Sequence, residues 1–202
     1  MKKIAVLGGT GMTGQCVVKS ALEKGLEVKV LYRNENFIPD FFKDKVELIK
    51  GDATNYEDVL NFLKGTDAVI VVLGTRNKLD PTTVLSTGTA NVVKAMSELK
   101  IARLSVCLSS FLFWDQEKVP KQFGNINDEH KKMLEIVKAS DLEFIAVLPP
   151  HIADEPAGEV TILHDSSPGR VVSKWNLAQF LIECLDQDEH VKKVCGIAKK
   201  AQ

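Results

Sequence analysis

The chain has no long apolar run, no excess of one charge and no export signal, and each absence removes a class of protein. No apolar stretch is long enough for a membrane span, and no charged leader precedes an apolar core. The formal net charge is −1, so no global field recruits nucleic acid or an anionic membrane. We therefore expect a cytoplasmic protein, without nucleic-acid or membrane partners, whose partner is a small molecule.

Cysteine is also scarce. The four residues, Cys16, Cys107, Cys184 and Cys195, form no C-x-x-C pair and show no metal-ligand spacing. Free thiols in a reducing compartment are the simplest interpretation, and no metal is predicted. Cys107 falls in an apolar run, where a small buried hydrophobe is its expected role.

Residues 8–14, with the sequence GGTGMTG, are the most informative stretch present. They follow the apolar run at residues 4–7 and open an amphipathic helical pattern. A strand, a glycine turn and a helix in this order hold a pyrophosphate at the helix N-terminus. The glycine spacing is G-x-x-G-x-x-G, which differs from the more familiar G-x-G-x-x-G. A glycine loop without a ligand is the alternative, and the strand and helix around the turn favour the dinucleotide.

Apolar runs alternate with helical patterns almost to the end of the chain. Strands are predicted at residues 4–7, 28–32, 46–49, 68–73, 104–108 and 144–148, and helices at 13–24, 56–63, 83–99, 128–140 and 175–185. The alternation predicts an α/β fold, with a single Rossmann-type doubly wound parallel sheet and helices on both faces. Residues 1–202 are expected to form one NAD(P)-binding domain.

Three further expectations concern the C-terminal part, the start of the fourth helix and the tail. After Pro150, short apolar runs at residues 160–163 and 171–172 predict a small C-terminal excursion on the substrate side. Asn127 or Asp128 is the expected N-cap of the fourth helix. The polar tail from Lys199 is expected to fray.

The residues that follow the second, third and fourth strands bear on the choice of cofactor. Arg33 stands where an acid would select NAD, and a guanidinium there pairs with a 2′-phosphate, so NADP(H) is predicted. Asp52 is placed either to accept from the adenine amino group or to cap the next helix. Gly74 lets the backbone pass close to the cofactor, and Arg76 either reaches over the cofactor or stays in solvent.

The chain lacks the Tyr-x-x-x-Lys pair with which short-chain dehydrogenases donate a proton. Its two tyrosines are Tyr32 and Tyr56, and neither is followed four residues later by lysine. Ordinary alcohol–ketone chemistry thus loses its acid. Hydride transfer without a strong acid suits an acceptor that delocalises charge, such as a flavin or a tetrapyrrole.

Four stretches together resemble one known family. They are residues 8–14 (GGTGMTG), 73–77 (LGTRN), 109–115 (SSFLFWD) and 149–152 (PPHI). As a set they resemble the NADPH-dependent flavin reductases, or biliverdin-IXβ reductases (biliverdin reductase B), of the atypical short-chain dehydrogenase class, to about residue 188. The resemblance implies a monomer that reduces flavins, biliverdin isomers other than the common α form, and some quinones with NADPH.

The resemblance also implies a set of site residues. Around the cofactor, together with Gly8, Thr10 and Arg76, which their positions in the sequence suggest, it places Gly11, Met12, Thr13, Arg33, Asp52, Ala53, Leu73, Gly74 and Thr75. At the substrate pocket it places Ser109, Phe111, Trp114, His130 and His151, with Arg76 close by. Two departures, Ser110 for alanine and Phe113 for leucine, are expected beside the pocket and bear on specificity.

Each substrate-side residue has a plainer alternative. Ser109 either acts on the substrate as a catalytic group or bonds loose backbone at a strand end. His151, the second predicted catalytic residue, either donates to a substrate carboxylate or faces solvent. Phe111 and Trp114 either cover a flat ring system or pack as core aromatics.

Three functions compete at this point. The first is an NADPH-dependent flavin and biliverdin reductase. The second is a non-catalytic NADP(H) sensor on the same fold, since fold alone does not settle function. The third is a sugar-nucleotide epimerase or lyase, which the missing tyrosine and the small C-terminal part disfavour.

Overall fold

In the computed structural model, which describes residues 1–201, the predicted alternation of strands and helices is present. The strands are β1 Lys3–Leu7, β2 Glu27–Tyr32, β3 Glu47–Lys50, β4 Ala68–Val71, β5 Arg103–Cys107, β6 Glu143–Leu148, β7 His151–Ala153, β8 Val160–His164, β9 Val171–Ser173 and β10 Lys193–Lys199. The helices are α1 Met12–Glu23, α2 Tyr56–Leu63, α3 Val84–Leu99, α4 Gly124–Lys138 and α5 Lys174–Glu183.

Eight strands form one sheet in the order β3-β2-β1-β4-β5-β6-β10-β8. Every neighbouring pair is parallel except β10 and β8, which are antiparallel at the edge. Chain order reverses at β1, where the chain crosses from β3 on one side to β4 on the other. This switch point is where open α/β sheets bind ligands, beyond the carboxyl ends of the strands. The predicted doubly wound parallel sheet is confirmed.

The sheet is buried on both faces. On β1, Ile4 and Val6 belong to one apolar cluster, while Ala5 and Leu7 belong to the other. Helices α1 and α5 pack together on the first face, and α2, α3 and α4 cover the second. The strands are apolar without alternation because each face is covered by helices. Within the described chain, no helix is both long enough and apolar enough to cross a membrane.

The C-terminal part departs from the prediction. The run near residue 160 is β8, which joins the main sheet, whereas β7 and β9 form a separate two-stranded parallel sheet. Between β6 and β8 lies β10, a strand that the apolar pattern of the sequence does not predict. The expected fraying from Lys199 is wrong for the first two residues of the tail. Lys199 pairs with Val160 on β8, and the Lys200 backbone N–H donates to the Glu159 carbonyl at 2.9 Å.

The start of α4 also differs. The helix begins at Gly124, so the expected N-cap at Asn127 or Asp128 is wrong. A short 3₁₀ turn over Lys121–Phe123 leads directly into it, and no side chain caps it. Asn127 is instead buried in the first turns, where its Nδ2 lies 3.4 Å from Gln116 Oε1.

The turn between β1 and α1 depends on contact between backbone atoms. A Cβ added to Gly14 would lie 2.2 Å from the Gly8 carbonyl oxygen and 2.7 Å from Gly9 Cα. Gly8 itself has φ +85°, and its added Cβ would lie 2.3 Å from the Val72 carbonyl oxygen. Both positions therefore require glycine.

Gly14→Ala is expected to lower the free energy of unfolding by about 3 kcal/mol or more, because the new methyl group meets rigid backbone. Gly124→Ala is the matched control, since Gly124 has φ −52° and open space where the Cβ would go. That control should be neutral or stabilise by up to about 1 kcal/mol. Urea unfolding measures both, and equal effects for the two variants would contradict this account of the turn.

Candidate active site

A cleft of about 1690 Å³ opens beyond the carboxyl ends of β1, β2, β4, β5 and β6. Every predicted site residue lines it. On the cofactor side these are Gly8, Thr10, Gly11, Met12, Thr13, Arg33, Asp52, Ala53, Leu73, Gly74, Thr75 and Arg76. On the substrate side they are Ser109, Phe111, Trp114, His130 and His151.

The N-terminus of α1 faces this cleft with unpaired backbone donors. Gly11 is the N-cap, and no side chain accepts from the first helical turn. The first i→i−4 bond runs from the Gln15 N–H to the Gly11 carbonyl at 2.9 Å. The N–H groups of Met12, Thr13 and Gly14 therefore have no acceptor in the helix. Such a helix end attracts an anion, and a pyrophosphate fits it.

Arg33 and Asp52 face each other where β2 and β3 end. Arg33 Nη1 lies 3.6 Å from Asp52 Oδ2, and the arginine side chain is 72% exposed, so it is free to meet a ligand. Asp52 Oδ1 accepts from the Thr54 N–H at 2.9 Å and from its hydroxyl at 2.8 Å. The Thr54 N–H, with Arg33 as a smaller contribution, lowers the pKa of Asp52. The carboxylate is thus ionised beside the guanidinium.

The alternative role for Asp52, as cap of the next helix, is wrong. Helix α2 is capped by Asn55, whose side chain accepts from the Asp58 N–H at 3.2 Å. Asp52 instead closes a tight turn through Thr54, and its own N–H donates to Asp58 at 2.8 Å. Its carboxylate remains at the cleft wall.

Arg76 remains exposed, and its side chain lies across the opening of the cleft. Its Nη2 donates to Thr10 Oγ1 at 3.2 Å, and its guanidinium carbon lies 3.8 Å from the centre of the Phe37 ring. Arg76 has φ +54° and the next residue, Asn77, has φ +64°, so a left-handed turn after β4 carries the side chain back over the opening. The glycine turn and the segment after β2 are linked by this one side chain.

Ser109 follows β5 and caps a short 3₁₀ turn. Its Oγ accepts from the Phe111 N–H at 3.2 Å, which is the plainer role expected for it. Because that bond uses an oxygen lone pair, the hydroxyl proton remains available to the cleft. The two departures from the family pattern, Ser110 and Phe113, lie in different places. Ser110 lines the cleft, whereas Phe113 does not line it and packs, partly buried, against the core cluster on the α4 side.

Aromatic rings form the open end of the cleft. The Phe111 and Trp114 rings meet edge to face at 5.0 Å, and the Phe111 and Phe123 rings lie 5.4 Å apart. Trp114 is 48% exposed, which a core aromatic would not be. This wall is apolar and accessible, and its rings offer both faces and edges to a planar ring ligand.

The two histidines have different environments. His130, on α4, has an Nδ1 that is buried without a hydrogen-bond partner among the described residues. Burial lowers the pKa of His130 to about 4, so the ring is neutral near pH 7. His151 is exposed at the start of β7, and its backbone N–H donates to the Arg170 carbonyl at 3.2 Å.

Several lining residues were not predicted. Phe37 and Leu79 rim the cofactor side, and Phe123 and Arg170 rim the substrate side. Each lies in a loop or a 3₁₀ turn, or just before a short strand, where no periodic pattern marks it. Arg170 follows the proline and glycine of the C-terminal excursion, and only that excursion's predicted position hinted at a role.

The model of the NAD(P)H-binding family matches residues 8–188, and the chain belongs to this family. This confirms the predicted cofactor, NADP(H), at the level of the family, whose members bind NAD(P)H. A protein of Arabidopsis thaliana, named as uncharacterized and chloroplastic, is 29% identical over 223 residues, which cover 100% of this chain and 78% of that protein.

Solved structures agree on the fold. A protein of Bacillus halodurans, named as a provisional NAD-dependent epimerase/dehydratase, has a TM-score of 0.87 at 19% identity and covers 100% of this chain and 96% of its own. ChuY, named as an anaerobilin reductase of Escherichia coli O157:H7, has a TM-score of 0.85 at 16% identity. The match covers 100% of this chain and 98% of ChuY. The chain thus has the fold of NAD(P)H-dependent oxidoreductases.

The buried ring of His130 predicts a pH dependence of stability. Its folded pKa of about 4 lies below the ordinary 6.5, so its contribution is complete above pH 6.5 and is lost as the pH falls toward 4. From this group alone, unfolding at pH 5 should require about 2 kcal/mol less than at pH 7. His130→Gln should reduce that difference, whereas the control His151→Gln should keep it. An unchanged difference in His130→Gln, measured by urea unfolding, would contradict the assignment.

Proposed function

We propose that this protein is an NADPH-dependent reductase that passes a hydride to a flat conjugated acceptor. The acceptors are flavins (FMN, FAD and riboflavin) or a tetrapyrrole such as biliverdin of the IXβ type. The cleft supports this with a dinucleotide end at the glycine turn and an aromatic end at Phe111 and Trp114. The E. coli neighbour named as an anaerobilin reductase shares the fold alone at 16% identity, and is consistent with a tetrapyrrole acceptor.

The observation that carries the proposal is the combination of this aromatic wall with the absence of a tyrosine acid. Both tyrosines lie in the described part of the chain, and neither lines the cleft. The Tyr56 hydroxyl bonds Glu98 between α2 and α3, and this bond raises its pKa to about 12. An acceptor that spreads the added charge over its own rings needs no such acid, so orientation carries most of the catalysis.

Each end of the cleft has a distinct task in this proposal. The free N–H groups at the start of α1 hold the pyrophosphate, and Arg33 pairs with the 2′-phosphate. When bound, NADPH supplies the hydride. Ser109 directs its free hydroxyl proton toward the acceptor, and the Phe111 and Trp114 rings hold the acceptor plane. His151 and Arg170, both exposed at the rim, favour acceptors that carry carboxylates or phosphates.

The proposal includes a monomer in the cytoplasm, built as one domain over residues 1–202. The near-neutral net charge supports a small-molecule partner, and the four free thiols agree with a reducing compartment. Chromatography of the purified protein at two concentrations tests the monomer directly.

The purified protein is expected to oxidise NADPH in the presence of FMN or biliverdin, with saturation in both substrates. The loss of NADPH absorbance follows the reaction in a panel of flavins, tetrapyrroles and quinones. Ser109→Ala should lower kcat, because the acceptor loses its hydroxyl partner, and leave the Kd for NADPH within about twofold. Tight NADPH binding with no turnover on any acceptor would contradict the proposal and favour a non-catalytic NADP(H) sensor.

Arg33→Ala is expected to weaken NADPH binding by about 10- to 100-fold and NADH binding by less than about threefold, because a charge-assisted pair to the 2′-phosphate is lost. Lys50→Ala is the matched control, since it removes an exposed cation nearby that pairs with Glu35 and does not line the cleft. Fluorescence titration gives both constants. Equal losses for the two dinucleotides would refute the role of Arg33.

A further inference from the structure

His164, His190 and Cys195 meet at the sheet edge beyond β6, and none of them lines the cleft. His164 ends β8 and pairs with Cys195 of β10 in the antiparallel register. His190 comes from the short 3₁₀ turn Asp188–His190 just before β10. The three side chains thus belong to one edge of the sheet but to three elements. The geometry points to a site for a divalent transition metal, Zn²⁺ above all.

The short distances in this cluster involve one atom, His190 Nδ1. His190 Nδ1 lies 3.0 Å from His164 Nε2 and 3.8 Å from Cys195 Sγ. The three ligand atoms all lie within 4.8 Å of one another. Around a tetrahedral Zn²⁺ with bonds of about 2.0 Å to nitrogen and 2.3 Å to sulfur, ligand atoms stand about 3.3–3.7 Å apart. Small side-chain rotations therefore suffice to place an ion at the centre.

Hydrogen bonds among the three side chains cannot satisfy all three ligand atoms at once. A ring nitrogen offers one in-plane position, which holds either a proton or a lone pair. His190 Nδ1 therefore satisfies either His164 Nε2 or Cys195 Sγ, but not both. An ion placed among the three atoms uses the lone pair of each nitrogen and the thiolate at once. Two imidazoles and one thiolate form a donor set that suits Zn²⁺.

The surroundings suit a bound ion with an open fourth position. Cys195 is fully buried and His164 is exposed, so the cluster runs from the core to solvent, where a water completes the tetrahedron. The Phe180 ring packs edge to face on His190 at 5.2 Å and fixes its orientation. Binding breaks the S–H bond, forms the S–Zn bond and releases one proton to the buffer.

An ion bound at this site would restrain the segment that completes the substrate end of the cleft. His164 is followed directly by residues 165–170, of which Ser167, Pro168, Gly169 and Arg170 line the cleft. This segment already packs closely on β10, since an added Cβ at Gly196 would lie 2.0 Å from the Ser166 carbonyl oxygen. An ion that joins His164 to Cys195 fixes the base of the segment. We therefore expect Zn²⁺ to raise the melting temperature.

Titration of the metal-free protein with Co²⁺ tests the site. One equivalent should bind with the intense visible absorption of tetrahedral cobalt and with a thiolate-to-cobalt charge-transfer band. Zn²⁺ should displace Co²⁺ and abolish both signals. His164→Gln and Cys195→Ser should each weaken binding by more than about 100-fold. Cys195→Ser should also remove the charge-transfer band.

Two matched controls change the same residue types elsewhere. His151→Gln alters an exposed histidine of the cleft, and Cys16→Ser alters a buried thiol on α1. Both variants should bind Co²⁺ as the unmodified protein does. Since His164 is exposed, its variant is expected to fold even if Cys195→Ser does not. Binding with only the weak spectrum of octahedral cobalt, or equally tight binding in His164→Gln, would overturn the proposal.

Discussion

The structure depends on how closely the turn after β1 approaches the end of β4. Gly8 has a positive φ and leaves no room for a Cβ beside the Val72 carbonyl, and Gly14 lies against the Gly8 carbonyl. These contacts place the N-terminus of α1 at the switch point of the sheet, with its first N–H groups facing the cleft. A side chain at either position would separate the helix from the sheet and remove the anion site.

The remaining features of the cleft are arranged around that anion site. Arg33 and Arg76 bring two cations to its two sides, one beside Asp52 and the other between Thr10 and Phe37. The opposite end has aromatic rings and the Ser109 hydroxyl, without a tyrosine acid. In the proposal, the cleft holds the cofactor at one end and a planar acceptor at the other. Hydride transfer then depends mainly on how the two rings are aligned, and this is the basis of the proposed function.

The part of the fold that could be predicted from the sequence is the part that depends on the spacing of apolar residues. The parallel core and the exact span of α2 follow from apolar runs, and the glycine turn follows from its spacing. Strand β10 was missed because its apolar run is short, with Gly196 in the middle and a lysine at each end, and because its partners are distant in sequence. The start of α4 was misplaced because no side chain caps it. Arg170 and the cluster of His164, His190 and Cys195 arise only from tertiary contacts, which local patterns do not encode.

The most direct test of the central claim is a crystal structure of the protein with NADP⁺. The account predicts the pyrophosphate on the N–H groups of Met12 and Thr13, the 2′-phosphate within hydrogen-bond reach of Arg33, and the nicotinamide ring beside Ser109. A pyrophosphate bound away from the start of α1, or a 2′-phosphate pointing away from Arg33, would contradict it.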